Sequence, residues 1–280
     1  MTSSLAFGPA LVVMIAATFV LAGMVKGVTG MGLPTVAMGI LGSLISPVAA
    51  AAMLLLPSLI SNLFQFGGGG NTRQLVKRLW PMLLTVVVAT LLASAWITGG
   101  DTTRTQFALG VALVAYAIWT LAGKKIAVAP QHEKPYSLII GFVTGLLTGG
   151  TGVFVMPAVP WIQSLGFEKD ELVQALGISF TFSTLALALG LWWHNALPVQ
   201  SLSLSALAIV PALIGQWLGT RVRRVISPLV FKRCFLFCLV GYRDDAACGV
   251  TCAVTLERFH GIVNSDIQGQ RGRYGISDVK

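Results

Sequence analysis

The chain has 280 residues, of which 55% are hydrophobic and 10% charged, with 19 Lys and Arg against 10 Asp and Glu. A soluble domain carries about 25% charged residues, so this composition excludes an ordinary soluble domain. The surplus of positive charge needs no nucleic acid, because its distribution follows membrane topology.

In chain order, the start "MTSSLAFGPA" carries no Lys or Arg. A cleaved signal peptide has a basic leading region, so the N-terminus is expected to be retained. Apolar segments follow at roughly 9–28, 31–46, 48–66, 80–98, 105–121, 137–148, 153–165, 172–193 and 200–220, and a tenth begins near Leu229. A helix needs about 20 residues to span a bilayer, and lipid cannot satisfy open backbone groups. The alternation of a barrel is absent. The expected fold is therefore all-α, a polytopic helical membrane protein with about eight to ten hydrophobic segments. The second, sixth and seventh segments are short, as half-helices or re-entrant pieces would be.

If each segment crosses, thirteen of the fourteen Lys and Arg before residue 240 fall on one side, and Arg104 alone on the other. The positive-inside rule makes the basic side cytoplasmic. This predicts the N-terminus outside; the location expected for the chain is a bacterial-type cytoplasmic (inner) membrane. The expected divisions are a first transmembrane repeat over 1–125, a linker over 126–136, a second repeat over 137–242 and a polar tail over 243–280. That tail holds ten of the 29 charged residues.

The two halves echo each other. "TGMGLP" at Thr29–Pro34 has a counterpart in "GGTGVFVMP" at Gly149–Pro157, and each leads into a short segment and then a longer helix. Five segments per half bring the second copy in from the opposite side, and matched loops swap their charge accordingly. Two inverted-topology repeats with Gly-rich helix breaks point to a secondary transporter, with its site at the repeat interface.

Glycine reaches backbone angles closed to other residues, and Pro34 lacks an amide donor. A helix broken there leaves free N–H groups at the start of the next half-helix, where dipole and amides favour an anion. From the first half, the candidate anion site takes Lys26, Thr29, Gly30, Gly32, Pro34 and Asn62. From the second it takes Gly149, Gly150, Thr151, Gly152, Pro157 and Ser179. Asn62 and Ser179 lie on the helix after each break, as further donors. A single Gly-x-Gly reads as helix packing, whereas two matched copies favour a site. Lys26 is either a ligand or an interfacial lysine whose head snorkels to water.

The stretches "VKGVTGMGLP" and "GLLTGGTGVFVMPAV", with the two-half layout, resemble the sulfite exporter TauE/SafE family of membrane permeases over roughly residues 9–237. The resemblance implies a transporter of small sulfur-containing anions such as sulfite or sulfoacetate, with export as the expected direction; it does not choose the anion. The tail departs from the clean apolar last helix expected of such a family.

Other chemistry is disfavoured. Cys234, Cys238, Cys248 and Cys252 form two C-x3-C pairs, looser than the usual zinc knuckle, and no metal is expected. All ten acidic residues fall in predicted loops or the tail, which disfavours a cation carrier. His132 and His194 lie in a linker and at a helix boundary, away from any serine motif, so no enzyme and no catalytic residue is expected. No Walker-type motif or other cofactor signature is present. The Gly215–Gly219 spacing reads as helix packing. The expected partners are a small anion and the lipid bilayer. The competing class is a non-transporting membrane subunit or assembly factor.

Overall fold

The structure is a computed structural model that describes residues 9–66, 72–99, 101–122, 130–197 and 199–223. The tail, the four cysteines and the segment near Leu229 lie outside the described residues. Those residues form nine α-helices and one 3-10 turn, Pro130–His132, with no strand among them. The helices are α1 (Pro9–Thr29), α2 (Leu33–Leu44), α3 (Pro47–Phe66), α4 (Thr72–Gly99), α5 (Thr102–Ala122), α6 (Glu133–Thr151), α7 (Ala158–Ser164), α8 (Lys169–Trp193) and α9 (Val199–Val222). Five of them (α1, α3, α4, α8 and α9) contain stretches long and apolar enough to cross a membrane. The chain is a polytopic helical membrane protein.

The expected short second and seventh segments appear as α2, with 12 residues, and α7, with seven. The sixth does not. It is α6, a full 19 residues, because the helix begins at Glu133, before the apolar run. An acidic residue in the first turn suits the dipole and a proline there costs no hydrogen bond, so "EKPY" starts a helix where it reads as a loop. Likewise α4 starts at Thr72 instead of Trp80.

Glycines set the closest helix contacts. Along α6, a methyl at Gly141, Gly145 or Gly149 would collide with backbone or side chain at Met82, Val86 or Thr90 of α4. Along the other seam, methyls at Gly23 and Gly27 of α1 would strike Ala212 and Gln216 of α9, and those at Gly215 and Gly219 would strike Val20 and Met24. Small residues four apart let membrane helices bring their backbones together. Gly215 and Gly219 therefore serve packing, as expected.

These contacts fix direction. The order of partners makes α4 parallel to α6 and α1 parallel to α9. Gly177 meets Gln65, and Thr184 meets Ser58, so α8 runs antiparallel to α3. Gln174 reaches Thr72, while Gly190 packs on Ser94, so α8 is parallel to α4. Gly39 and Gly42 pack on Leu113 and Leu109, making α2 and α5 antiparallel. Lys26 near the end of α1 meets Ser61 and Asn62 near the end of α3, so these two are parallel, with α2 between them in the chain. The ends of α1, α3 and α9 thus share one end of the bundle with the starts of α4, α6 and α8. Arg73, Lys77, Arg78, Lys134 and Arg221 lie at that end, and Arg104 lies at the other.

Arg78 fastens the basic end. Its guanidinium donates to Glu133 on α6 at 2.6 and 3.1 Å and to Leu165 O after α7 at 3.1 Å, and it lies 4.7 Å from the Phe167 ring centroid. One side chain therefore joins α4, α6 and the connection into α8.

The seam glycines make a direct test. At Gly145 an added methyl would lie 2.5 Å from Val86 O and 2.6 Å from Ala89 Cβ, whereas at Gly110 it would meet nothing within 4 Å. Gly145→Ala should cost about 1–3 kcal/mol by overpacking. Gly110→Ala should be neutral or gain up to about 1 kcal/mol in helix propensity. Thermal unfolding of the detergent-solubilised protein should separate the two.

Candidate functional site

The first break lies between α1 and α2. Gly30 and Gly32 take left-handed angles, with φ of 79° and 113°, a region glycine enters at no steric cost. The Gly30 amide still donates to Lys26 O at 2.7 Å. Thr29 Oγ1 is used by the turn itself: it faces Val25 O at 2.8 Å, touches Met31 O and accepts from the Met31 amide at 3.2 Å. Pro34 sits in the first turn of α2, where its missing N–H matters least. From α3, Gln65 Nε2 donates to Gly30 O at 2.8 Å and holds the break in place.

Lys26 lies one turn before this break and is only 1% exposed. A snorkelling lysine keeps its ammonium in water; this one does not. Its Nζ donates to Ser61 Oγ at 2.7 Å and to Asn62 Oδ1. Asn62 Nδ2 lies 3.3 Å from Ser58 Oγ and 3.5 Å from Thr184 Oγ1, and those two hydroxyls are 3.3 Å apart. A polar chain therefore runs from the α1 ammonium through α3 to α8, closed off by Thr184 Oγ1 donating to Phe180 O at 2.7 Å.

Every partner of Lys26 among the described residues is neutral. Among the described residues the ion pairs are Arg78 with Glu133 and Arg104 with Asp101, both near helix ends. A buried charge is costly unless paired and hydrogen-bonded. Here the hydrogen bonds are present and the counter-charge is not.

Local sequence explains the cluster. Ser58, Ser61, Asn62 and Gln65 recur at i, i+3, i+4 and i+7, one stripe of α3, directly after Pro57 inside that helix. Proline cannot donate to its own helix and bends it. The neighbouring Leu56 amide donates to Ser205 Oγ of α9 at 3.1 Å. Ser58, Ser61, Gln65 and Thr184 are outside the candidate site drawn from the sequence, and the polar stripe of α3 is the signal that marks the first three.

The second break is built differently. α6 continues through Thr151, so Gly149 and Gly150 occupy its last turn instead of opening the next half-helix. Gly149 packs on α4, and Gly150 has no neighbour within 4 Å of an added methyl. Thr151 Oγ1 donates to Leu147 O at 2.6 Å and accepts from the Val153 amide at 3.3 Å. Gly152 caps the helix with φ of 74°, its amide on Thr148 O at 2.8 Å. Residues 153–155 then run without helical structure to Pro157, the residue before α7. A methyl at Gly152 would lie 2.9 Å from Met38 Cε and 3.4 Å from Ala51 Cβ, so this break nests against α2 and α3 of the first half.

Ser179 is fully buried and its Oγ has no hydrogen-bond partner among the described residues. It lies about 140° around α8 from Thr184, and Ser183 Oγ is likewise without a partner. The structure thus brings Lys26 and Asn62 into direct contact and ties Gly30 to them through Gln65. No recorded hydrogen bond joins Gly149, Gly150, Thr151 or Ser179 to that cluster. Among the described residues no group of His, Cys, Asp and Glu is placed to hold a metal.

Asn62→Leu would leave the buried ammonium one acceptor short and should cost about 1.5–3 kcal/mol, the range for a hydrogen bond to a charged group. Adding Lys26→Met removes the stranded charge, so the double variant should be more stable than Asn62→Leu alone. A double-mutant cycle in thermal unfolding measures this, and strict additivity would contradict it.

Comparison with known proteins agrees with this architecture. The family model "Sulfite exporter TauE/SafE" matches residues 15–242. The chain is similar to a "Probable sulfite/organosulfonate exporter TauE" of Cupriavidus necator, 26% identical over 219 residues that cover 76% of this chain and 85% of that protein. No solved structure matches the chain. With the matched region spanning most of its length and all of its described core, the chain belongs to the sulfite exporter TauE/SafE family.

Proposed function

We propose that the protein is a secondary transporter, not an enzyme, that moves small sulfur-containing anions such as sulfite or sulfoacetate across the cytoplasmic membrane, in the export direction. The observation that carries this reading is Lys26, a cation buried beside a broken helix and supported, among the described residues, by neutral groups. An anion arriving at the break supplies the missing counter-charge. Gly30 and Gly32 keep the backbone free of side chains there, and the first-turn amides of α2 have no intrahelical carbonyls to bond. Family membership and the name of the Cupriavidus necator relative point the same way.

By the positive-inside rule, the end with Arg73, Lys77, Arg78, Lys134 and Arg221 faces the cytoplasm. The N-terminus and Arg104 then face outward. α1 and α3 flank α2 in the chain as α6 and α8 flank α7, and α3 and α8 run in opposite directions. We read these as the two inverted repeats of a transporter. Export is electrically downhill: one negative charge leaving a negative cytoplasm gains about 2.3 kcal/mol per 100 mV. A uniport mechanism therefore needs no ATP.

Flux into proteoliposomes with sulfite, sulfoacetate, sulfate and thiosulfate tests the reading. Lys26→Gln keeps the side chain's length but removes its charge, a loss of roughly 1–3 kcal/mol that should weaken anion affinity about five- to 150-fold at matched expression. Unchanged flux at subsaturating anion would reduce Lys26 to a structural lysine. For orientation, single cysteines in a cysteine-free background should react with an impermeant reagent on intact cells at Thr103 and not at Lys77. The reverse pattern would invert the topology.

A further inference from the structure

Gln65 carries an acceptor that nothing in the cluster uses. Its Nε2 is committed to Gly30 O at 2.8 Å, which fixes the amide's orientation, since exchanging its O and N would set two carbonyl oxygens against each other. Its Oε1 is then sealed from solvent without a hydrogen-bond partner among the described residues. A buried acceptor left unmade is costly, and one that persists asks for a donor from outside the protein. On the other side of the same stripe, Lys26 has three N–H donors. Two go to Ser61 and Asn62, and the third has no recorded partner among the described residues.

Gln65 follows Ser61 by one turn of α3, a rise of about 5.4 Å. Its amide sits on Gly30, four residues beyond Lys26. The ammonium, held by Ser61 and Asn62, and the Gln65 amide therefore belong to one stripe of α3, about one helical turn apart. Beside Gly30 an added methyl would be in ordinary contact with Val173 Cγ2 at 3.9 Å and Gln65 Nε2 at 4.0 Å and would strike nothing closer.

The charge count narrows the ligand further. Among the described residues, Lys26 is the cation buried within the bundle; Arg73, Lys77, Arg78, Arg104, Lys134 and Arg221 lie at or near helix ends. A single negative charge leaves the occupied site neutral. A dianion such as sulfate or sulfoacetate leaves one charge uncompensated away from water, so of the two anions named above the site favours sulfite, in its singly charged hydrogen-sulfite form.

Resting on the transport reading above, we infer that the Lys26 site takes a singly charged oxyanion that carries its own hydrogen-bond donor, such as a hydrogen-oxoanion or a hydroxy-substituted alkanesulfonate. Lys26 receives the charge, and Gln65 Oε1 receives the donor. Gln65 is then a specificity-determining residue, distinct from its structural hold on Gly30.

The test is flux of three probes in proteoliposomes: 2-hydroxyethanesulfonate, ethanesulfonate and sulfate. The parent should prefer the hydroxy compound over ethanesulfonate about ten-fold at subsaturating concentration, the equivalent of one hydrogen bond. It should move sulfate more slowly than either. Gln65→Leu should bring the ratio of the two sulfonates close to one, whereas a purely structural Gln65 would slow both alike and keep the ratio. Equal sulfonate rates in the parent, a ratio that survives Gln65→Leu, or sulfate moving as fast as the monoanions would each overturn the inference while leaving an anion permease in place. Absence of flux for all three probes would overturn the inference, and absence of sulfite and sulfoacetate flux as well would overturn both. If Gln65→Leu fails to fold, the parent decides alone: the three anions should raise its unfolding temperature in the same order, and equal shifts overturn the inference.

Discussion

An ammonium group held in a membrane protein by neutral oxygens is the constraint on which the rest of this structure depends. Lys26 must be kept dry, so α1, α3 and α8 must close around it. It must be solvated, so α3 carries a polar stripe where a lipid-facing helix would carry leucines. Ser61 and Asn62 provide that solvation, and Ser58 and Thr184 orient Asn62 in turn. Such groups are tolerable in an apolar bundle only as a connected set, because a half-satisfied buried network is worse than none. The break at Gly30 belongs to the same set through Gln65, so the position of the cation and the conformation of the broken helix are fixed together.

Around that polar centre, the helices are held mainly by shape. Lipid tails are as apolar as leucine, so burial supplies little drive between membrane helices, and close backbone approach supplies more. Two glycine seams provide it, one between α4 and α6 and one between α1 and α9. Charge does its work at the periphery. Arg78 spans three elements at the basic end, where water is near and its pairing with Glu133 is half exposed. Polar interactions thus place the site, and small residues place the walls.

Much of this was legible in the residues. The long apolar helices, the first break and the membership of Lys26 and Asn62 in one region all follow from local pattern. What was not legible depended on a neighbour. "TGGTG" reads as a break because glycine pairs end helices; here α4 presses its backbone against Gly149, and the helix runs on to Thr151. The spacing Gly141, Gly145, Gly149 already carried that reading. Ser179 looks like the counterpart of Asn62 in sequence order, yet it sits on a different face of α8 from Thr184. Only the register of α8 against α3 decides which face meets the cation, and no single strand of sequence states that register. The start of α6 was hidden because Glu133, Lys134 and Pro135 resemble a loop while suiting a helix's first turn.

The α1–α9 seam has a consequence for biogenesis. Its glycines come from the first and the last helices described, and they interlock in parallel along both. A chain inserted from its N-terminus places α1 in the bilayer long before α9 exists. Until then, the small-residue face of α1 has only lipid to meet, and a groove shaped for a backbone is poorly filled by acyl chains. Closure of that seam is therefore a late, long-range event, of the kind whose loop entropy slows folding. Lys26 lies on the same helix, so its burial is complete only once α3 and α8 have also arrived. During synthesis the ammonium has bulk water or lipid headgroups within reach, and the finished bundle withdraws it from both. Assembly order, as much as final packing, is what allows this protein to carry a lysine where it does.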